Sequence, residues 1–265
     1  MARETVTAAY VEVDGRSTWH EVLGEGPPVV LMHGAFAGAS SWSAQAPALA
    51  RAGYRVHVPE RRGHAHTPDV QGPLTYAAMA DDTVAYLDGV VGGPAHLVGW
   101  SDGAVVALLV ARRRPDLVER LVLIGQYYNA AGRVAGGLVD QLSAGGDQAV
   151  GFLRAEYDRV SPDGPAHFPV VYAKTLRMLA AEPELDLASL AAVAAPTLVL
   201  QGDRDEVTLE HGAAVAAALP HGRFAVLPGT HALPMESPRV VNVLLVWFLA
   251  GATPAVDWFA PGPGR

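Results

Sequence analysis

The stretch Gly99-Trp-Ser-Asp-Gly103 constrains the fold of this chain more than any other. It reads Gly-x-Ser-x-Gly, and it lies between an apolar run, Ala95 to Val98, and a helix-forming run, Ala104 to Ala111. A strand, a sharp turn that carries a serine, and a helix in this order are typical of a nucleophile elbow. The two glycines remove Cβ atoms that would collide where the strand and the helix pass close together. We therefore predict that the turn presents the Ser101 hydroxyl at the carboxyl end of a strand.

Short apolar runs alternate with helical patterns along the first half of the chain. Four of the runs have the length and composition of strands that are buried on both faces: Val29 to Met32, Tyr54 to Val58, Ala95 to Val98, and Leu121 to Ile124. The helical stretches between them predict a mostly parallel sheet with right-handed crossovers. Before them, Asp14-Gly15 separates Thr7 to Val13 from Ser17 to Val22, which predicts an antiparallel hairpin at the start of the sheet.

The alternation breaks between Gln126 and about Val193, where helical patterns follow one another without a convincing strand. Two further strands are predicted beyond this region, Thr197 to Leu200 and Phe224 to Leu227, so the α/β sheet has about eight strands. We expect residues 1–125 and 194–250 to form the core and residues 126–193 to form a helical lid. The lid should cover the carboxyl edge of the sheet, where open α/β sheets bind ligands. Residues 251–265 are rich in proline and glycine and are predicted to be a loosely attached tail.

The composition and charge of the chain limit the kinds of partner that it can bind. Half of its 265 residues are hydrophobic, which is enough for a sizeable core. The formal charge of −8 and the lack of a basic run argue against nucleic acid or an anionic membrane as a partner. With no cysteine, the chain has no disulfide, thiolate nucleophile or cysteine metal site. The first residues contain no apolar signal-like run, and the longest apolar stretch, Val240 to Ala250, is too short to span a bilayer. We expect a cytoplasmic protein with a small-molecule substrate.

A serine hydroxyl is a poor nucleophile at neutral pH, so it needs a base and a group that orients the base. His231 follows the last predicted strand, and the stretch Gln201-Gly-Asp-Arg-Asp205 follows the strand before it. Both should lie at the sheet edge that carries Ser101. The chain order of serine, acid and histidine is the one that the elbow motif predicts. Asp203 and Asp205 are both candidates for the acid.

An oxyanion intermediate needs two hydrogen-bond donors, and they often make the largest single contribution to catalysis. One is predicted to be the backbone N–H of Asp102, the residue after the nucleophile. The other should come from the loop after the strand that ends at Met32, where the sequence is His33-Gly34-Ala35-Phe36. We expect the N–H of Ala35 to supply it.

The chain resembles serine hydrolases of the α/β-hydrolase fold. The resemblance covers residues from about Val29 to Leu249. The resemblance is carried by five features: His33-Gly34, Arg62-Gly63-His64, the elbow, Gly202-Asp-Arg-Asp205, and His231. Small esterases and amino-acid-ester hydrolases with a Gly-Trp-Ser-Asp-Gly elbow are the most similar members. The family pattern implies Asp205 as the acid, because the acid is the fourth residue of Gly-x-x-Asp. It also implies that no metal or organic cofactor is needed.

Some members of this superfamily carry the acid in the loop after the earlier strand, which here ends at Ile124. Gln126 and Asn129 in that loop are not acids, so we do not expect this variant. His211 lies in a predicted helix and His221 before the last strand, so both are badly placed to act as the base. His33 is expected to be structural. His64 and His66 could suggest a metal pair, but no matching carboxylate spacing accompanies them, and a solvated loop is the favoured interpretation.

Four residues are predicted to bind the substrate: Phe36, Trp100, Asp102 and Tyr127. The Asp102 side chain has two interpretations, since it could cap the following helix or face the pocket and bind a substrate ammonium group. A second set of aromatic residues could line the pocket or form the core of the lid: Tyr128, Tyr157, Phe168 and Tyr172.

Together these residues predict that Ser101 attacks the carbonyl of a small carboxylic ester, that His231 transfers the proton, and that Asp205 orients His231. Alternatives within enzymes are an aminoacyl-ester hydrolase that uses Asp102, a lactonase, a perhydrolase and a carbon–carbon bond hydrolase. Outside that class, a slow-turnover ligand-binding receptor or an interaction protein with a vestigial site would also keep the fold.

Overall fold

The structure is a computed structural model that describes residues 6–145 and 151–251. Apart from Gly251, the predicted tail lies outside the described residues. The strands found in the described ranges are β1 (Thr7–Val13), β2 (Arg16–Leu23), β3 (Pro28–Met32), β4 (Arg55–Pro59), β5 (Ala95–Trp100), β6 (Val118–Ile124), β7 (Thr197–Arg204) and β8 (Gly222–Thr230). They form one sheet in the order β1-β2-β4-β3-β5-β6-β7-β8. The pairs β1–β2 and β2–β4 are antiparallel, and all the other pairs are parallel.

Helices connect the parallel strands. Those in the described ranges are α1 (Gln45–Arg51), α2 (Tyr76–Tyr86), α3 (Asp102–Arg113), α4 (Leu138–Gly145), α5 (Gly151–Val160), α6 (Phe168–Ala181), α7 (Leu209–Ala218), α8 (Leu233–Glu236) and α9 (Pro238–Leu249). None of them is long and apolar enough to cross a bilayer. The predicted α/β-hydrolase architecture is confirmed, with its antiparallel N-terminal hairpin and its helices between two strands.

Alternation along the central strands divides the core into two layers. On β3, Val30 and Met32 face the layer built with α2, α3 and α7, while Val29 and Leu31 face the layer that contains α1 and α9. Side chains of successive strand residues point to opposite faces, so a continuous apolar run is what a strand covered on both sides requires. On β5, Leu97 faces the first layer and Val98 the second, so the strand that leads into the elbow is anchored in both.

Between β6 and β7, residues 126–193 contain α4, α5, α6 and short 3₁₀ turns; this segment is called the helical insertion below. It has an apolar cluster of its own, to which Leu142, Phe168 and Val171 contribute. It meets the rest of the chain through apolar packing, with Met178, Leu190 and Val193 in the same cluster as α3. Polar contacts join the two as well, such as the ion pair of Lys174 Nζ with Asp69 Oδ2 at 2.6 Å.

Candidate active site

The elbow places Ser101 in a backbone conformation that residues other than glycine rarely adopt, with φ 55° and ψ −122°. Its N–H donates to the carbonyl of Ile124 at 2.8 Å, which fixes the turn to β6. Gly103 lies against β3, and a Cβ at this position would meet the His33 carbonyl oxygen at 2.6 Å. The strand–turn–helix geometry therefore needs glycine at this point, and α3 begins at Asp102, directly after the serine.

Three side chains from three different loops meet above the sheet. His231 Nε2 lies 2.8 Å from Ser101 Oγ, and His231 Nδ1 lies 2.7 Å from Asp205 Oδ1. A carboxylate accepts hydrogen bonds, so Nδ1 carries the proton and Nε2 is free to accept from the serine hydroxyl. Asp205 is held in turn, because its Oδ1 accepts from the Val207 N–H at 3.2 Å. The structure thus brings together the three residues predicted from the sequence, and they form the Ser101–His231–Asp205 chain.

Burial by itself lowers the pKa of His231, but the hydrogen bond and the negative charge of Asp205 outweigh it, so the pKa is raised. Glu206 and Asp102 add to the upward shift from a greater distance. A raised pKa makes the imidazole a stronger base, and its cation is stabilised by the same carboxylate.

The alternative candidates for the acid and the base do not contact Ser101, His231 or Asp205. Asp203 is exposed, and its carboxylate accepts from the Gly229 N–H at 2.9 Å. His211, in α7, stacks on Tyr128 with the ring centroids 3.8 Å apart, and its Nε2 accepts from the Tyr128 N–H. His221 lies at the opposite end of the sheet, just before β8, where its carbonyl accepts from the Thr197 N–H.

Two residues that were not predicted to act on His231 contact it. Gly125 directly follows β6, with φ 63°, and a Cβ there would lie 2.8 Å from His231 Cε1 and 2.9 Å from Nδ1. The Trp100 indole N–H donates to the His231 carbonyl at 2.7 Å. Trp100 was predicted to bind substrate, but a hydrogen bond to the histidine loop gives it a second function. The signal for Gly125 was its place at the end of the strand beside the elbow.

The predicted oxyanion loop is fixed by a buried polar network. His33 Nδ1 donates to the Gly34 carbonyl at 2.8 Å, and His33 Nε2 accepts from the Arg61 N–H at 3.1 Å. The Arg61 guanidinium also donates to the Gly34 carbonyl. Burial, with the charge of Arg61 beside it, lowers the pKa of His33 well below its ordinary value, so this ring is neutral. His33 therefore holds the loop that carries Ala35.

A cavity of about 760 Å³ opens above Ser101, between the sheet edge and the helical insertion. All four residues predicted to bind substrate, and the predicted oxyanion residue Ala35, line it. The wall is mainly apolar, with contributions from the insertion that include Ala130, Val134, Leu138, Val139, Leu142 and Leu179. Its size lies in the range of roughly 300–1,000 Å³ that is usual for small-molecule sites.

Asp102 is a buried carboxylate at the base of this cavity. Its Oδ1 accepts from the Tyr76 hydroxyl at 2.7 Å and from the Tyr127 hydroxyl at 3.3 Å, while Oδ2 is buried with no hydrogen-bond partner. Burial raises the pKa of Asp102, although the Arg61 charge and the two tyrosine hydrogen bonds oppose the shift. Tyr76 was not predicted as part of the site. Tyr127 lines the cavity, but its hydroxyl is committed to this network.

The remaining aromatic and histidine candidates lie outside the cavity wall. Tyr157, Phe168 and Tyr172 pack with Phe36 in the apolar cluster of the insertion, so they form core rather than pocket. His64 is buried and bonds to the Arg62 carbonyl, so the interpretation as a solvated loop is wrong for this residue. His66 pairs with Glu60 instead. Within the ranges that the structure describes, no group of three or more His, Asp or Glu side chains could hold a metal ion.

A nucleophile elbow on an eight-stranded sheet, with a histidine and a carboxylate from the last two strand ends, defines the α/β hydrolases as a class. Residues 29–243 match the model of the alpha/beta hydrolase family, and the chain belongs to this family.

Proteins similar to this chain are named for several different activities. The chain is 30% identical over 250 residues to a Mycobacterium tuberculosis protein provisionally named non-heme bromoperoxidase BpoC, covering 86% of this chain and 95% of that one. It is 46% identical over 99 residues to the pimeloyl-[acyl-carrier protein] methyl ester esterase of Aromatoleum aromaticum, a match that spans only 37% of either protein. A solved hydrolase from Pseudomonas aeruginosa superposes with a TM-score of 0.73 at 28% identity, covering 92% of this chain and 98% of that one. These likenesses support hydrolase activity.

Proposed function

We propose that this protein is a serine hydrolase that cleaves a small-molecule carboxylic ester through an acyl-enzyme. The Ser101–His231–Asp205 chain, with hydrogen bonds of 2.8 and 2.7 Å, is the observation that carries the proposal. Ser101 Oγ attacks the ester carbonyl carbon while His231 Nε2 takes its proton. The resulting imidazolium, stabilised by Asp205, protonates the alcohol as the C–O bond breaks. Water then attacks the acyl-enzyme with the same histidine as base, and this step releases the acid and restores Ser101.

The tetrahedral intermediates carry negative charge on the former carbonyl oxygen. We assign its stabilisation to the backbone N–H groups of Ala35 and Asp102. The second of these is the first residue of α3, and the N-terminus of a helix favours negative charge. The Arg61–His33 network holds the Ala35 loop in place before the substrate arrives, so little reorganisation is needed during the reaction.

The helical insertion serves in this proposal as a lid, and the chain divides into the core of residues 1–125 and 194–250 and the lid of residues 126–193. Support comes from the cavity, whose wall is built from the sheet edge on one side and the insertion on the other. A substrate bound there would be removed from bulk water, which strengthens every electrostatic contact to the intermediate. The chemistry proposed here uses protein groups alone.

A fluorophosphonate probe tests the proposal directly, because it phosphonylates an activated serine. We expect peptide mass spectrometry to place the label on Ser101 and to find none in Ser101→Ala or His231→Ala. Multiple turnovers of short p-nitrophenyl esters should accompany labelling. Well-folded protein that is not labelled would contradict the proposal and favour a vestigial site, and labelling with only a single turnover would favour a receptor.

Lactonase, perhydrolase and carbon–carbon bond hydrolase chemistry can use the same three residues, so the screen should include one substrate of each kind beside the open-chain esters. We expect the highest kcat/KM for an open-chain ester. A lactone or a vinylogous diketone that exceeds every ester by more than about tenfold would reassign the reaction while leaving the roles of Ser101 and His231 unchanged.

An aminoacyl-ester hydrolase is a second candidate, and it rests on the unpartnered Oδ2 of Asp102. A substrate ammonium group could supply the missing donor. The test compares an aminoacyl ester with its deaminated analogue in the native protein and in Asp102→Asn. A preference for the aminoacyl ester that disappears in Asp102→Asn would establish this function. Equal kcat/KM for the two esters in the native protein, unchanged in Asp102→Asn, would exclude it.

A further inference from the structure

Arg133 is the only arginine or lysine among the described residues that line the cavity above Ser101. No carboxylate of the described residues lies within 4.0 Å of its guanidinium, whereas five other described arginines have such a partner: Arg16, Arg62, Arg113, Arg114 and Arg154. Its Nη2 donates to the Glu182 carbonyl at 3.1 Å, and its Nε is buried with no hydrogen-bond partner. The Arg133 side chain is half-buried, and a buried donor without a partner is costly.

The guanidinium is held in a defined position. Its carbon lies 4.8 Å from the centre of the Tyr127 ring, at a distance typical of a cation–π contact. The backbone of Arg133 forms an antiparallel bridge with Val207, and the next residue, Val134, donates to the Glu206 carbonyl at 2.9 Å. Since Asp205 belongs to the same loop as Val207, Arg133 is fixed relative to the loop that carries the acid of the site.

The carboxylates of the cavity wall already have donors within the protein. Asp140 accepts from the Gly136 N–H at 2.7 Å, Glu206 accepts from the Leu138 N–H at 2.7 Å, and Glu156 accepts from a Ser40 hydroxyl at 2.8 Å. Asp102 accepts from two tyrosines. None of these carboxylates pairs with Arg133, so its guanidinium has no acidic partner in the described cavity wall.

We propose that Arg133 binds a carboxylate of the substrate, so that the natural substrate is an ester that carries a second, free carboxylate group. A planar guanidinium offers two parallel donors that match the two oxygens of a carboxylate. The inference rests on the proposed ester hydrolysis at Ser101 and adds the chemical class of its substrate.

Two matched pairs of esters provide the test, because a carboxamide has the shape of a carboxylate without its charge. One pair is the p-nitrophenyl ester of glutaric acid with a free carboxylate and the corresponding carboxamide, which places the charge on the acyl side. The other is 3-butyryloxypropanoate and 3-butyryloxypropanamide, which places it on the alcohol side. The quantity measured is the ratio of kcat/KM for the carboxylate to that for the carboxamide.

We expect this ratio to be about 10 to 100 for one of the pairs, the size expected for a hydrogen-bonded charge pair. It should fall to about 1 in Arg133→Gln and to an intermediate value in Arg133→Lys, because lysine keeps the charge but loses the fork. Arg159→Gln is the matched control, since it removes an exposed arginine of the insertion that does not line the cavity. It should keep the full ratio.

A ratio of 1 or below for both pairs in the native protein would overturn the inference, and so would a preference that persists in Arg133→Gln. Labelling of Ser101 by the fluorophosphonate separates this failure from failure of the proposed function. Labelled protein that turns over carboxamide esters, but shows no preference, refutes the assignment of Arg133 alone. If Arg133→Gln is too unstable to assay, the ratio in Arg133→Lys decides, and a value equal to the native one contradicts the proposal.

Discussion

The carboxyl edge of the sheet and the helical insertion are held in place by different kinds of contact. At the edge, backbone hydrogen bonds between neighbouring strands fix the site, such as Ser101 N–H to the Ile124 carbonyl and Gly125 N–H to the Leu200 carbonyl. Many contacts between the insertion and the core are made by side chains instead, since Met178, Leu190 and Val193 pack in the core cluster. Lys174 and His167 pair with Asp69 across the same boundary. Substitutions at the edge should therefore act on rate, and substitutions at the insertion should act on stability and substrate choice.

The strongest test of the edge is Asp205→Asn. An amide at this position can force the wrong histidine tautomer, and in a serine–histidine–aspartate site of established mechanism this change costs about 10⁴ in kcat. We expect a loss of that size in the turnover of p-nitrophenyl esters, with the melting temperature little changed.

Asp203→Asn is the matched control for this experiment, because Asp203 lies two residues away, at the exposed end of β7. Its effect on kcat should be less than about threefold, because its carboxylate accepts from the Gly229 N–H rather than from the histidine. Similar losses in the two variants would show that the acid has been assigned to the wrong residue.

Gly125→Ala tests the edge a second time, through a contact rather than a charge. The added methyl group would meet the His231 ring at 2.8 Å, and a displacement of about 1 Å in a reacting group can cost about 10²-fold in rate. We expect a loss of that order in kcat for p-nitrophenyl esters.

Gly136→Ala, in the insertion, separates this contact from backbone strain. Gly136 has φ 72°, close to the 63° of Gly125, but a Cβ there meets nothing within 4 Å. Both variants should therefore lose about 1 kcal/mol of stability through the left-handed backbone. Only Gly125→Ala should lower kcat. An equal loss of kcat in both variants would show that backbone strain, rather than the contact with His231, lowers the rate.

The same contrast explains what the sequence could predict. The sheet and the three residues of the Ser101–His231–Asp205 chain follow from local signals, because each residue ends a short apolar run and parallel strands bring those ends to one edge. The hydroxyls of Tyr76 and Tyr127 on Asp102 gave no such signal. They come from positions 26 residues before and 25 residues after it, and only the packing of α2 and of the segment after β6 around the start of α3 shows that they meet. The burial of His64 depends in the same way on packing, which no periodic pattern encodes.

The pH dependence of kcat/KM distinguishes the charges around His231. The base must be neutral to accept a proton, so activity falls as the pH drops through the pKa of His231, which is raised above its ordinary value of 6.5. Asp205 makes the largest upward contribution and Asp102 a smaller one. We expect the acid limb of the profile to lie above pH 6.5 in the native protein and to move to lower pH in Asp102→Asn.

The residual activity of Asp205→Asn should show a larger shift of the acid limb in the same direction, because this variant removes both the hydrogen bond and the nearest charge. The measurement is kcat/KM for a neutral ester between about pH 5 and 9. An acid limb that moves upward in either variant, or that moves further in Asp102→Asn, would contradict the assignment of His231 as the base.

The smallest effect on rate is expected at the contact between the insertion and the core. Although burial raises the pKa of Asp69, hydrogen bonds from Lys174 and His167 lower it below its ordinary value, so the carboxylate is charged at neutral pH. Lys174→Met removes one of the two partners and leaves a mostly buried charge with His167 alone, which should cost about 1–3 kcal/mol. For a domain of this size that corresponds to a fall in melting temperature of about 2–10 °C.

Arg177→Met is the control, because it removes an equal charge from an exposed position on the same helix. It should change the melting temperature by less than about 2 °C. Neither variant should alter kcat/KM for a small neutral ester by more than about threefold, since the site is fixed by the strands rather than by the insertion. A loss of kcat/KM in Lys174→Met comparable to that in Gly125→Ala would show that the insertion also positions the reacting groups. It would contradict the assignment of rate to the sheet edge and of stability to the insertion.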